Sequence, residues 1–75
     1  MFTIGGNRVS LSRESVQAAM KGVEPETIKK YKVEIGGKWF PIKQVVCIAA
    51  NLPPAAFIST DAYRILRTLG FQVMQ

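Results

Sequence analysis

Tyr31-Lys32-Val33-Glu34-Ile35-Gly36-Gly37-Lys38-Trp39-Phe40-Pro41 is the stretch on which the fold turns. Tyr31, Val33 and Ile35 alternate with Lys32 and Glu34, which is the period of a half-buried strand. Two glycines follow, and then a second short run, Lys38-Trp39-Phe40. A two-residue connection with positive φ at both central positions is the tight turn of a β-hairpin, and Gly-Gly satisfies it without a Cβ penalty. Pro41 closes the second strand and suits the first turn of a helix.

Beyond the hairpin, Ile42, Val45, Val46 and Ala49 fall on one helical face, with Lys43 and Gln44 off it. Asn51 and Pro53-Pro54 stop that helix. After a loop through Phe57 come Ser59, Thr60 and Asp61, all of N-cap type, and then the apolar stripe Ala62, Ile65, Leu66 and Leu69. Gly70 ends this helix, and Phe71 and Val73, alternating with Gln72, read as a final strand able to pair with the hairpin.

Before the hairpin, Ser12 is an N-cap for a helix predicted over 13–21. Glu14 lies in its first turn, Val16, Ala19 and Met20 at helical spacing, and Gly22 beyond its end. The run 25–29 suits one short helical turn. Phe2-Thr3-Ile4 reads either as a strand, with Gly5-Gly6-Asn7 turning toward Val9 and Leu11, or as an irregular arm. The predicted class is α+β: a small antiparallel sheet, made of the central hairpin and the C-terminal strand, with about three helices packed on one face.

Seventy-five residues make one domain, 1–75, with a single core. Apolar residues reach 48% and charged residues 20%, a globular composition. The longest apolar run, Val45 to Ala50, falls far short of the roughly 20 residues needed to span a bilayer. The N-terminal residues lack the basic and apolar regions of a signal peptide. The lone Cys47 forms no internal disulfide, which suits the reducing cytoplasm. Its place in the Val45–Ala50 run predicts a small, inert core thiol, although Lys43 one turn earlier would favour a thiolate were the site exposed.

The chain contains no histidine. This removes the commonest general base, the nucleophile–His arrangements and every His-containing zinc site. One cysteine cannot build a Cys₄ site, Asp61 reads as a cap and Glu34 as the solvent face of a strand. Neither glycine pair matches a phosphate-loop pattern. No enzyme, metal, cofactor, small-molecule substrate or membrane association is expected.

Ten Lys/Arg oppose five Asp/Glu, a net charge of +5. Residues 38–75 carry Lys38, Lys43, Arg64 and Arg67 against Asp61 alone, so an anion-facing surface is expected in that half. Thr60, Arg64 and Arg67 lie at i, i+4 and i+7, opposite the apolar stripe, with no acid between them. Arginine offers forked donors to phosphate oxygens and guanine edges. The helix starts near Pro41 and Ser59 add backbone N–H groups, and Lys43 and Gln44 lie in the first of them. Trp39 and Phe40 must point to opposite faces. Phe40 belongs to the core, whereas Trp39 either stacks on a base or sugar beside Lys38 or packs under the N-terminal segment. The bland alternative for the basic stripe is an ordinary solvated helix face.

Three segments together resemble a small domain from the N-terminal regions of bacterial McrA-like, modification-dependent HNH restriction endonucleases and related defence proteins. They are Tyr31 to Gln44, Phe57-Ile58-Ser59-Thr60-Asp61-Ala62 and Leu66-Arg67-Thr68-Leu69-Gly70-Phe71. The shared pattern is an aromatic-led strand, a Gly-Lys-aromatic-Pro-x-Lys turn, an apolar helix and a helix ending in Leu-Gly-Phe. The resemblance implies an accessory DNA-recognition or scaffolding role. In residue terms it points to Lys38, Lys43 and Gln44 in the turn and to Thr60, Arg64 and Arg67 in the last helix. This chain departs from such proteins in carrying no histidine and no nuclease domain.

Two functions are therefore expected. One is a nucleic-acid-binding module, with DNA the favoured partner, using Lys38, Trp39, Lys43, Gln44, Thr60, Arg64 and Arg67. The other is a protein-interaction or oligomerisation module using Trp39 and a sheet edge. A contiguous basic surface favours the first; basic surface split by Glu14, Glu24 and Glu34 beside an apolar patch favours the second.

Overall fold

The computed structural model describes residues 2–4, 6–28 and 30–75. Its centre is the expected hairpin: β3 (Lys32–Ile35) pairs antiparallel with β4 (Lys38–Pro41), with Val33 opposite Phe40 and Glu34 opposite Trp39. Gly36 and Gly37 take φ of 60° and 83° at the turn, the left-handed values that a two-residue connection requires. The C-terminal strand β5 (Val73–Met74) pairs antiparallel with the other edge of β3, giving the order β4-β3-β5. Phe71 lies outside this strand and is buried.

A second sheet settles the N-terminal alternatives in favour of a hairpin. β1 (Phe2–Ile4) and β2 (Asn7–Val9) pair antiparallel, with Ile4 opposite Asn7, so Asn7 stands in a strand rather than in the turn. Gly5 lies outside the described residues. Ile4 is fully buried, with Phe2, Val9 and Leu11 packed against the core.

Three helices follow from local signals. α1 (Arg13–Ala19) starts at Ser12, whose Oγ accepts from Ser15 N–H while Ser15 Oγ accepts in return from Ser12 N–H. It ends two residues before the predicted Lys21. α2 (Ile42–Ala50) begins after Pro41 and closes on Asn51, which takes φ 56° and donates its N–H to Cys47. α3 (Ser59–Thr68) follows a 3₁₀ turn at Pro54–Ala56. α2 is central, packing on α1, α3 and β4.

No helical turn forms over 25–28; Lys29 lies outside the described residues. The reason is Gln44. Its Nε2 donates to Glu24 O at 2.9 Å and its Oε1 accepts from Glu26 N–H at 2.9 Å, so this backbone is tied to a side chain rather than to its own helical turn. Gln44 is accordingly 8% exposed, which corrects its expected place off the apolar face.

The core lies between the helices and one face of the larger sheet. Val33, Ile35 and Phe40 point into it and meet Val16, Val45, Val46, Ala62 and Leu66. Lys32 and Glu34 are on the opposite, helix-free face with Trp39, and Met74, which pairs with Lys32, is exposed there. No helix formed by the described residues is long and apolar enough to cross a membrane.

Candidate functional site

The start of α3 differs in one detail from expectation. The N-cap is Ile58, one residue before Ser59, and Asp61 serves from the third helical position, its Oδ2 accepting from Ile58 N–H at 3.3 Å. Asp61 is the helix's only acid, and its carboxylate is turned back onto the helix start. Ala62, Ile65 and Leu66 are buried, while Thr60, Arg64 and Arg67 are exposed on the other side. Residues three and four apart on a helix have Cβ atoms about 5–6 Å apart, so the three side chains form one row. Arg64 makes no polar contact with any described residue.

Arg67 is the end of a longer arrangement. Its Nη1 donates to Tyr63 Oη at 3.0 Å, and its guanidinium carbon lies 5.6 Å from the centre of the Tyr63 ring. Tyr63 meets Tyr31 edge-on, with ring centres 5.3 Å apart and planes at 62°. Lys30 Nζ stands 5.3 Å from the centre of the Tyr31 ring. Lys30, Tyr31, Tyr63 and Arg67 thus make a ladder of cation, ring, ring and cation between the residues just before β3 and α3. Sequence reasoning did not assemble this ladder. The spacing of Tyr63 and Arg67 by four was visible, but nothing local joins Tyr31 to Tyr63.

Beside the ladder is a cleft of about 490 Å³, between the first turns of α2 and α3 and the residues Glu26, Thr27, Lys30 and Tyr31. Lys30 and Tyr31 belong to both features, and Lys43, Cys47, Ile48 and Glu26 complete much of the cleft wall. Lys43 is half-buried and anchored: Nζ donates to Pro54 O at 3.1 Å and stands 5.2 Å from the centre of the Phe57 ring. Desolvation pushes the Cys47 thiol above its ordinary pKa; Lys43 offsets part of that rise and Glu26 adds slightly to it.

The other expected residues stand apart. Gln44 has its amide committed to Glu24 and Glu26, so it is a strut of the fold. Lys38 is exposed at the turn end of the hairpin, beside Lys21 and Gly22. Trp39 is half-buried on the helix-free face, with Lys32 Nζ 5.1 Å from its ring centre, and is not among the residues packed on the core. Among the described residues no group of three or more His, Cys, Asp or Glu is placed to hold a metal ion.

The alignment with known families extends over nearly all of this architecture: the family model described as SCO5918-like matches residues 3–75. The chain belongs to the SCO5918-like family. No curated protein and no solved structure matches it. The family match takes in every element from Thr3 of β1 to the C-terminal strand, so the ladder and the cleft lie within the family domain.

Proposed function

We propose that this domain is a non-catalytic nucleic-acid-binding module, with DNA as its partner, serving as a recognition element of a restriction or defence protein. The observation that carries the reading is the exposed face of α3 joined to the Lys30–Tyr31–Tyr63–Arg67 ladder. Two guanidinium groups and an ammonium lie on it, and the helix's one carboxylate is engaged with Ile58 N–H. Guanidinium groups match phosphate oxygens bidentately, and interleaved aromatic rings offer stacking to bases or sugars. The face presents donors and rings rather than a nucleophile or a general base. Glu14, Glu24 and Glu34 are exposed on other elements and do not interrupt this helix.

A second reading, a protein-interaction module, is supported by the helix-free sheet face, where Trp39 on the edge strand β4 is half-exposed and Met74 on the opposite edge strand β5 is 45% exposed. The two are separated by mobility-shift titration with duplex DNA, single-stranded DNA and RNA, using the wild type and an Arg64→Glu/Arg67→Glu variant. Loss of binding in the variant, at unchanged melting temperature, supports the α3 face. Retained affinity removes α3 from the interface and passes preference to the Trp39 surface.

A further inference from the structure

The cleft between the first turns of α2 and α3 has the size and chemistry of a ligand site in its own right. About 490 Å³ lies inside the range of 300–1,000 Å³ typical of small-ligand pockets. One wall is apolar, from Ile42, Ile48 and the Cys47 side chain. Tyr31 supplies a half-buried ring, with the Lys30 ammonium 5.3 Å from its centre. Two cations, Lys30 and Lys43, line the same cleft as a single carboxylate, Glu26. Among the described residues Lys43 Nζ has one acceptor, Pro54 O, where an ammonium can serve three.

We propose that this cleft is a subsite for one unpaired nucleotide, and the proposal rests on the nucleic-acid reading of the neighbouring α3 face. The phosphate lies toward Lys30 and Lys43, the base lies along Tyr31 over the Ile42/Ile48 wall, and Glu26 sets the polarity by repelling phosphate from its side. The preference for an unpaired nucleotide follows from shape. A base inside a duplex presents only its edge, whereas a cleft with an aromatic wall takes a whole ring. Because Lys30 and Tyr31 line both the cleft and the ladder, a strand bound along Arg67, Tyr63 and Tyr31 leads into the cleft.

The test uses the whole chain, amide NMR shifts and mobility-shift titration. The probes are a short single-stranded oligodeoxynucleotide, the same strand in duplex form, deoxyadenosine 5′-monophosphate and inorganic phosphate. Ile48→Trp is the blocking variant: Ile48 is 39% exposed on the cleft wall, so an indole there fills the cleft without entering the core. Lys30→Glu is a second, exposed variant, should the first prove unstable. The expected result is tighter binding of the single strand than of the duplex. Either variant lowers single-strand affinity about tenfold, the scale of one lost base stack. Ile48→Trp leaves duplex affinity unchanged.

The monophosphate is expected to shift the amides of Tyr31, Cys47 and Ile48 in the wild type and not in Ile48→Trp. Equal affinity for single strand and duplex, unaffected by Ile48→Trp but abolished by Arg64→Glu/Arg67→Glu, overturns the subsite and leaves the α3 reading standing. If inorganic phosphate alone reproduces the shifts, the cleft holds anions without reading a base, which also overturns it. If no oligonucleotide binds at all, the α3 reading fails, and the monophosphate decides: displaced cleft amides retain the subsite and unmoved ones end it.

Discussion

Gln44 shows how much one side chain settles in a domain of this size. Its amide supplies a donor to Glu24 O and an acceptor to Glu26 N–H, both at 2.9 Å. Gln44→Leu keeps the bulk and removes both bonds, and is expected to cost about 1–2 kcal/mol. In thermal melts this is a fall in Tm of roughly 4–16 °C. Gln44→Glu keeps the acceptor for Glu26 N–H but sets a buried carboxylate oxygen against Glu24 O, and at neutral pH is expected to fall at least as far. A Gln44→Leu variant as stable as wild type would mean that the segment 24–26 is held by something else. Cys47 provides a second check at this scale. Its raised pKa keeps the thiol protonated to higher pH than a free cysteine, so iodoacetamide is expected to react more slowly with the native protein than with the chain in denaturant. A thiol pKa raised by folding stabilises the native state below its unfolded pKa, and that contribution is lost as pH rises through the native value. Native alkylation at the denatured rate would show the thiol to be fully solvated.

At the scale of the element, β4 carries two large aromatic residues on opposite faces, and they are expected to respond differently. Phe40 is 1% exposed and sits within the core cluster, so Phe40→Ala is expected to cost about 3–5 kcal/mol. That is much of the roughly 4–11 kcal/mol available to a chain this long, and the variant is expected to be largely unfolded at 37 °C. Trp39→Ala removes a half-buried ring and its contact with Lys32, for about 1 kcal/mol, and is expected to fold. Circular dichroism melts of the two variants make the comparison, and equal losses would place Trp39 in the core. The alternation that separates these faces is written in adjacent residues, which is why the hairpin, its turn and the stripes of α2 and α3 were legible from the sequence. The determinants of each lie within about ten residues. Gln44 was misread because helical spacing placed it off the apolar face, and only the distant segment 24–26 gives it partners. The turn expected over 25–29 does not form over the described residues 25–28 for the same reason: propensity favoured it, but the Gln44 amide takes the hydrogen bonds of Glu24 O and Glu26 N–H. The row Thr60, Arg64 and Arg67 was legible from period alone, whereas its continuation through Tyr63 to Tyr31 and Lys30 exists only once α3 lies against the start of β3.

For the whole molecule the deciding quantity is how its charge is arranged. The longest dimension, 30 Å, covers about nine base pairs at 3.4 Å per step, so the footprint on a duplex is short. Lys30, Lys43, Arg64 and Arg67 are the basic groups of the α3 face and its cleft, and four phosphate contacts give a slope of log K against log salt of about −3.6. Arg64→Glu/Arg67→Glu changes net charge by four, from +5 to +1, by replacing two cations with two anions. Both positions are exposed, so the expected change in stability is about 0.5 kcal/mol or less for each. Binding, by contrast, loses two counterion-releasing contacts and gains repulsion where phosphate would lie. At the lowest salt at which any complex survives, the slope is expected to fall to about −1.8. Thr60→Ala is expected to have a smaller effect, because it removes a neutral hydroxyl and leaves the slope unchanged. A variant that weakens binding without changing the slope would mean that Arg64 and Arg67 act through shape rather than charge. One that changes neither would place the nucleic acid elsewhere on the surface or remove it as a partner.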